Sequence, residues 1–449
     1  MSLSALLLTR LELPVDIIVK IAFYIPDATD FFKFLEALRP CYMLGPLEHL
    51  YKLGLTYDRN ELWPILVLKS SLVDSVDRYA FEEIVKCYSH VEVEEVWTNV
   101  EWLQKNISPW TKIDWIIRNS IPTAKVLDDL INVRITRLSF VFYDEVAPTW
   151  WSDILPRLPH LTSLEAYITS EEEEPSDFFE CVAASNQIID LEIDVSHYEM
   201  RAEDLVHLTQ WFQKQPVRKF VCFSGDWKAA NMNTRQAFYQ IMFNCTTLET
   251  LKLSSCHLDY VDLTEIVFTM NSLELIDCEL HLSQVETLAS RLEGSKVTHF
   301  EYDDNRIIEN DGMEYLLKAQ SRTGIKYLRL QSTRLFGPRW PTLAQWIEKS
   351  TLEVLFLDGS YFPSNGVEIL ALAIQNNPTI CELYLDYGTI RISDLRRLIE
   401  SMTHPSRRVE TKPIVWKKYY GKVPQSDDLK ALKELAIKRG GEFIIVLQP

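Results

Sequence analysis

The sequence predicts an α/β solenoid in which parallel strands line a concave face, helices cover the convex face, and an all-helical segment comes first. Three observations support this fold class. Residues 248–258 read L-x-x-L-x-L-x-x-C-x-L, the same frame recurs along the chain, and helical patterns fill the intervals. Because side chains alternate along a strand, Leu251 and Leu253 point inward while Lys252 and Ser254 point outward.

The repeat frame defines one inward reference residue per strand, and these residues are spaced by about 27 positions on average. They are Leu138, Leu164, Leu191, Phe220, Leu251, Leu273, Phe300, Leu328, Leu355 and Leu383. We therefore expect a right-handed stack of about ten parallel strands over residues 135–386. The seven residues expected to be buried are Leu138, Leu164, Leu191, Leu251, Leu328, Leu355 and Leu383. Helical patterns between strands include Ser283–Leu292 and Gly366–Gln375.

The repeats resemble the long, helix-bearing leucine-rich repeats of ribonuclease inhibitor and of F-box proteins with leucine-rich repeats. They depart from that pattern where the chain leaves each strand, because only Cys256, Cys278 and Asn305 match the usual Asn or Cys. Cys256 and Cys278 are expected to be buried as small apolar groups. The resemblance implies a non-catalytic protein-binding module.

The N-terminal segment carries a second pattern, made of two short apolar helices separated by Pro26 and Asp27. Leu13-Pro14 starts the first helix with proline at a position where its missing donor costs nothing. This segment resembles an F-box, which in its family docks on the adaptor subunit of cullin–RING ubiquitin ligases. The resemblance implies adaptor contacts from Leu13, Pro14, Ile17, Ile21, Ile25, Phe31 and Leu35. The alternative is a plain helical cap that covers the first repeat.

Four regions follow from these patterns. Residues 1–50 form the F-box-like helical segment, and residues 51–130 form either a helical linker or degenerate N-terminal repeats. The leucine-rich-repeat solenoid occupies residues 131–403, and residues 404–449 form a C-terminal cap. Within that cap we expect a helix over Ser426–Lys438 and a strand over Phe443–Leu447.

Composition narrows the function. The 449 residues carry a net charge of −18, which argues against nucleic acid or an anionic membrane as the main partner. No apolar run is long enough to span a bilayer. The eight cysteines are scattered without a disulfide or zinc pattern, which favours the cytoplasm or nucleus. We find no phosphate-binding loop, nucleophile motif or metal-ligand spacing, so we expect no catalysis, no metal and no cofactor.

The outward strand positions predict where a protein target binds. Acidic side chains outnumber basic ones there and are interspersed with aromatic rings, as in protein-recognition surfaces. The candidate target-binding residues are Tyr167, Glu192, Asp194, Phe223, Glu301, Asp303, Phe356, Asp358, Tyr384 and Asp386. Together with this surface, the F-box resemblance implies the substrate receptor of an SCF-type ubiquitin ligase, whose target is an unknown and possibly basic protein. The alternative is a stand-alone leucine-rich-repeat scaffold or inhibitor.

Overall fold

The computed structural model describes most of the chain and divides it into two units, Met1–Cys181 (unit 1) and Val182–Pro449 (unit 2). The described residues are 14–40, 44–69, 71–72, 75–94, 100–118, 124–141, 150–167, 176–196, 198–225, 227–258, 261–303, 310–330, 340–357, 365–386, 390–409, 413–418 and 426–447.

Unit 1 begins with four helices and continues as alternating strands and helices. The helices are α1 (Val15–Ala22), α2 (Ala28–Leu38), α3 (Pro46–Leu53) and α4 (Arg59–Leu62). The alternating part is β1 (Leu66–Lys69), α5 (Arg78–Ile84), β2 (His90–Glu94), α6 (Val100–Asn106), β3 (Lys112–Arg118), α7 (Ala124–Leu130), β4 (Ile135–Val141), α8 (Trp150–Ile154), β5 (Ser163–Tyr167) and α9 (Ser176–Ala184), whose end crosses the unit boundary.

Unit 2 repeats the strand–helix alternation with longer helices, except between Ser254 and Ser272, where no helix is described. Its first elements are β6 (Asp190–Asp194), α10 (Ala202–Lys214), β7 (Lys219–Phe223), α11 (Met232–Phe243), β8 (Thr250–Ser254), β9 (Ser272–Ile276), α12 (Leu282–Leu292) and β10 (His299–Asp303). The remaining elements are α13 (Asn310–Gln320), β11 (Tyr327–Leu330), α14 (Trp340–Lys349), β12 (Val354–Leu357), α15 (Gly366–Asn376), β13 (Glu382–Asp386), α16 (Ile392–Met402), β14 (Pro413–Lys418), α17 (Ser426–Lys438) and β15 (Glu442–Leu447).

Within each unit, every strand pairs in parallel with the strand that follows it in sequence, which confirms the expected solenoid-like α/β architecture. The register places the reference residues side by side, as in Phe220 opposite Leu251 and Leu251 opposite Leu273. Seven of the reference leucines were predicted to be buried, and all seven are at most 1% exposed. The seven are Leu138, Leu164, Leu191, Leu251, Leu328, Leu355 and Leu383. These residues form the core between sheet and helices.

The strand frame extends further than the sequence patterns indicated. Residues 51–130 contain β1, β2 and β3, so the helical-linker alternative is wrong and these residues are additional strand–helix units. Likewise β14 pairs with β13, so the frame does not end near residue 403. Most of these strands do not match the leucine frame, because their inward positions hold Val91 and Val93 in β2, Ile113 and Trp115 in β3, and Ile414 in β14. The predicted helix over Ser426–Lys438 matches α17.

Directly after three strands of unit 2 comes a residue with left-handed backbone conformation that is not glycine. Ser224, Ser255 and Asp277 directly follow β7, β8 and β9 with φ between 51° and 57°. Each donates its amide to the neighbouring segment, as Ser255 N does to Ile276 O at 2.7 Å, and so lengthens the parallel ladder by one hydrogen bond. Cys256 then follows, fully buried, and its thiol contacts the Cys222 carbonyl at 3.5 Å. The additional backbone hydrogen bond offsets the conformational strain of the left-handed residue.

This backbone geometry predicts a contrast at one position. Because a β-branched side chain fits the left-handed region poorly, Ser255→Val should lower the free energy of unfolding by about 2 kcal/mol. Ser255→Gly relieves the strain and loses the hydrogen bond to Asp277, so its effect should stay below about 1 kcal/mol. Urea denaturation of both variants measures the difference; equal effects of valine and glycine would show that the strain is unimportant.

A fully buried carboxyl in α10 makes the stability of unit 2 depend on pH. The Oδ2 atom of Asp204 accepts hydrogen bonds from the Tyr198 hydroxyl at 2.8 Å and the Arg201 amide at 2.7 Å. Burial nevertheless raises the pKa of Asp204 above 3.8, against the opposing effect of those hydrogen bonds. Its favourable contribution is therefore fully present below pH 3.8 and is lost as pH rises through the folded-state pKa.

Asp204→Asn should remove this dependence, because an amide oxygen accepts the same two hydrogen bonds and carries no charge. We expect the stability of the variant, relative to the wild type, to increase as pH rises from about 4 to about 7. Denaturation curves at several pH values measure this difference. A difference that does not change with pH would mean that Asp204 has the same pKa in both states.

Candidate functional site

The candidate site is the sheet face opposite the helices, formed by strand residues that alternate with the buried core residues. We call the part on β6–β13 the open face of unit 2. Its strands show the expected alternation, with Leu251 and Leu253 buried and Thr250, Lys252 and Ser254 partly exposed. Because these side chains stand on paired strands, their positions are fixed before any partner binds.

Four aromatic side chains from four adjacent strands form one row on this face, in which the outer pairs stack and the rings of the middle pair are tilted by 42°. We call this row the aromatic ladder; it consists of His299, Tyr327, Phe356 and Tyr384. The ring centroids of His299 and Tyr327 are 3.7 Å apart, those of Tyr327 and Phe356 are 5.0 Å apart, and those of Phe356 and Tyr384 are 3.7 Å apart. The Phe356 and Tyr384 rings are parallel within 5°. The ladder is therefore a preorganised row of aromatic rings, in which Tyr327, Tyr384 and His299 are partly exposed.

Sequence patterns identified only half of the ladder. Phe356 and Tyr384 were predicted from the position after the reference residue, whereas His299 and Tyr327 occupy the position before it. That position also points outward, so Tyr327 could have been found by scanning all outward positions for aromatics. The contact between the two sets depends on ring orientation, which the repeat frame does not specify.

The charged side chains of the open face pair mostly with each other. Lys219 contacts Glu192 at 2.7 Å, Lys252 contacts Glu274 at 3.1 Å, and Arg329 contacts Asp303 at 2.8 Å. These are charge-assisted contacts between neighbouring strands, so they help to fix the register. A large part of the acidity that suggested a basic target is therefore balanced within the face itself.

The ladder is also joined to the acids by hydrogen bonds. The Tyr384 hydroxyl donates to Glu382 at 3.0 Å, and burial together with this bond raises the pKa of Tyr384 to about 12. The phenol therefore stays protonated and neutral at pH 7. At Glu301, burial favours the neutral acid, but the His299 hydrogen bond at 3.2 Å and the charge of Arg329 outweigh it and lower the pKa. Glu301 thus stays ionised.

Several predicted target-binding residues are not accessible as expected. Asp303 is 3% exposed, Phe356 is 7% exposed and Glu301 is 8% exposed, because the ladder and the ion pairs cover them. These three side chains are too buried to contact a target directly. Their prediction as target contacts is corrected accordingly. The accessible members, all partly exposed, are Glu192, Asp194, Phe223 and Tyr384.

The remaining predicted residues lie elsewhere. Tyr167 belongs to unit 1, where its hydroxyl donates to Glu165 at 3.1 Å. Asp358 lies outside the described residues, and of Asp386 only the backbone, at the end of β13, is described. The open face of unit 2 therefore carries Glu192, Asp194 and Phe223 on β6 and β7. Further along the face, Tyr384 lies in the ladder with two residues that the patterns missed, His299 and Tyr327.

A second candidate surface lies on α1. Ile17 and Ile21 of α1, and Tyr24 two residues after its end, follow at helical spacing and are 39%, 41% and 87% exposed. Pro14, which precedes the helix, is also exposed, whereas Leu13 lies outside the described residues. These side chains form an apolar stripe on one side of the helix.

The other predicted adaptor-contact residues face the interior of unit 1. Phe31 and Leu35 are fully buried, and the Phe31 ring stacks on Trp63 at 3.7 Å. Ile25 is half-buried, and its carbonyl accepts a hydrogen bond from the Trp63 indole at 2.7 Å. Trp63 therefore anchors the N-terminal helices to the body of unit 1.

In the described part of the chain, no three His, Cys, Asp or Glu side chains lie close enough together to hold a metal ion. The described helices include none of the length and apolar character that crossing a membrane requires. Cys256 and Cys278 are buried, and burial raises the pKa of both thiols.

No family model and no curated protein matches the sequence. Among solved structures, a crystal structure of a Bacteroides fragilis protein, determined as a structural genomics target, resembles part of the chain. The similarity covers 55% of this chain and 74% of the other, with 12% identity and a TM-score of 0.38. At that TM-score the likeness supports no conclusion about fold or function.

Proposed function

We propose that this chain is a non-catalytic substrate receptor that binds a protein target on the open face of unit 2. The observation that carries this proposal is the aromatic ladder. Aromatic side chains that are rigid and partly exposed are typical of binding hot spots, since they bury a large area with little loss of conformational entropy. The Arg329–Asp303 ion pair lies beside these rings and supplies a polar margin.

The role within a ubiquitin ligase rests on the F-box resemblance together with the apolar stripe on α1. The adaptor subunit would contact Ile17, Ile21 and Tyr24, while the open face holds the target. Such a receptor acts by raising the effective concentration of its target near the ligase, so it needs no catalytic group of its own.

A second candidate function has its own support. The anchoring of α1 and α2 through Phe31 and Trp63 is what a helical cap requires. In that case the chain is a stand-alone leucine-rich-repeat scaffold or inhibitor, and only the open face binds a protein.

Binding to a purified ligase adaptor distinguishes the two candidates. We expect the full chain to bind the adaptor, and Ile17→Asp combined with Ile21→Asp to weaken binding by at least about tenfold through loss of two apolar contacts. Val206→Asp, which changes another half-exposed helical residue, is the matched control. No binding by the wild type, or equal loss in the control, favours the scaffold.

Target binding tests the open face. Replacing both Tyr327 and Tyr384 by alanine should cost on the order of 1–3 kcal/mol per hot-spot ring, seen mainly as faster dissociation. Leu372→Ala, at a residue of α15 that is 58% exposed, should leave binding unchanged. Affinity purification followed by quantitative comparison of the recovered proteins measures the effect. If the wild type, the double tyrosine variant and Leu372→Ala recover the same amount of bound protein, the proposal is contradicted.

A further inference from the structure

The outer edge of β15 has no neighbouring strand in the described part of the chain. The backbone donors and acceptors along such an edge are available to pair with another strand. The strand is six residues long and reads E-F-I-I-V-L, so five apolar residues follow Glu442. It contains no proline or lysine, the residues that natural edge strands commonly use to prevent pairing.

The inward-facing side chain of Ile445 in β15 is also incompletely buried. Ile445 pairs with Trp416, which pairs with Leu385, so Ile445 and Leu385 occupy equivalent inward positions. Leu385 is fully buried, whereas Ile445 is only half-buried. Ile444, on the opposite side of the strand, is half-buried as well. Both side chains would gain cover from one further strand.

By contrast, β1 shows how an outermost strand of this chain is protected. It has four residues and ends at Lys69, which contacts Glu61 at 2.6 Å. A short strand that ends in a charged side chain disfavours pairing with another chain. The length and composition of β15 lack this protection.

We infer that β15 pairs in antiparallel orientation with β15 of a second copy of this chain, forming a symmetric dimer. A two-fold arrangement uses the same edge on both copies and closes after two, so it does not propagate into fibres. It buries Ile444 and Ile445 of both copies and pairs the exposed backbone edges.

The charge distribution of α17 favours this occupant and this orientation. The helix runs opposite to β15, so antiparallel strands bring two antiparallel helices alongside each other. Asp427 and Asp428 are exposed at its first turn, and Lys438 and Arg439 are exposed at its end. In the two-fold dimer, the acidic end of each helix therefore lies towards the basic end of the other.

Sedimentation of the full chain over about 1 to about 100 µM tests the dimer. We expect a monomer–dimer equilibrium, and we expect Ile444→Lys to raise the dissociation constant at least about tenfold by placing two like charges near the symmetry axis. Leu372→Lys makes the same kind of change on α15, away from the edge, and should dimerise like the wild type. A wild type that stays monomeric, or that forms open-ended oligomers, overturns the inference, as does unchanged dimerisation of Ile444→Lys.

A charge exchange on α17 tests the orientation and does not depend on the folding of an edge-strand variant. Asp427→Lys with Asp428→Lys should weaken the dimer, because both ends of α17 then carry positive charge and repel each other. Adding Lys438→Asp and Arg439→Asp should restore the dimer, since the complementarity is then reversed rather than lost. Failure of the fourfold variant to recover dimerisation, while its circular dichroism remains that of the wild type, overturns the antiparallel arrangement.

Discussion

Replacing Asn377 by alanine should lower the free energy of unfolding by about 3 kcal/mol, because it leaves several buried main-chain groups without partners. Asn377 is 1% exposed and follows α15. Its amide donates to Ile347 O at 2.8 Å and Ser350 O at 3.0 Å, and its carbonyl accepts from Thr379 N at 2.8 Å and Ile380 N at 2.7 Å. One side chain thus ties the end of one repeat to the preceding repeat.

The adjacent Asn376 provides the control. It has the same side chain but is exposed, so Asn376→Ala should change stability by less than about 0.5 kcal/mol. Equilibrium denaturation of both variants measures the contrast. If the two substitutions have similar effects, the hydrogen bonds of Asn377 do not connect the repeats as described.

Replacing Trp63 by alanine should cost about 3–5 kcal/mol and release the N-terminal helices from unit 1. The Trp63 ring is 1% exposed and stacks on Phe31 within 8° of parallel, and its indole nitrogen donates to Ile25. Hydrogen exchange should therefore show loss of protection in α1 and α2 before any other part of unit 1.

Trp110 is the control for this substitution, because its side chain is 80% exposed. Trp110→Ala should leave both stability and exchange nearly unchanged. Retained protection of α1 and α2 in the Trp63 variant would contradict the anchoring role of Trp63. It would also remove the support that this contact gives to the helical-cap alternative.

The fold was predictable from the sequence because the repeat frame consists of apolar residues that must be buried. Leu251 and Leu253 show the principle, since strand alternation alone places them in the core. The frame did not identify β3, where Ile113, Trp115 and Ile117 occupy the inward positions that the frame assigns to leucine. The core selects for size and apolarity, so a pattern restricted to leucine misses strands that use other residues.

The candidate site was less predictable, since accessibility depends on neighbours from other repeats. Phe356 occupies an outward position, yet Tyr327 and Tyr384 cover it from both sides. Asp303 also points outward, but Arg329 from the next strand pairs with it and leaves it 3% exposed. These contacts are set by the register between strands and by side-chain orientation, neither of which a single repeat specifies.

Phe31 illustrates the same limit in the N-terminal segment. Helical spacing shows which residues share a face of α2, but it does not show whether that face meets a partner or the chain itself. The deciding residue, Trp63, lies 32 positions away and belongs to no pattern shared with α2.

The central claim, that the open face of unit 2 binds the target, is tested most directly by photocrosslinking from defined positions. A photoreactive phenylalanine analogue at position 384 replaces Tyr384 on the open face, and the same group at position 372 replaces Leu372 on the outer side of α15. We predict that irradiation joins a bound protein to position 384 and not to position 372. Crosslinks from position 372, with none from position 384, would contradict the claim and move the binding surface to the helices.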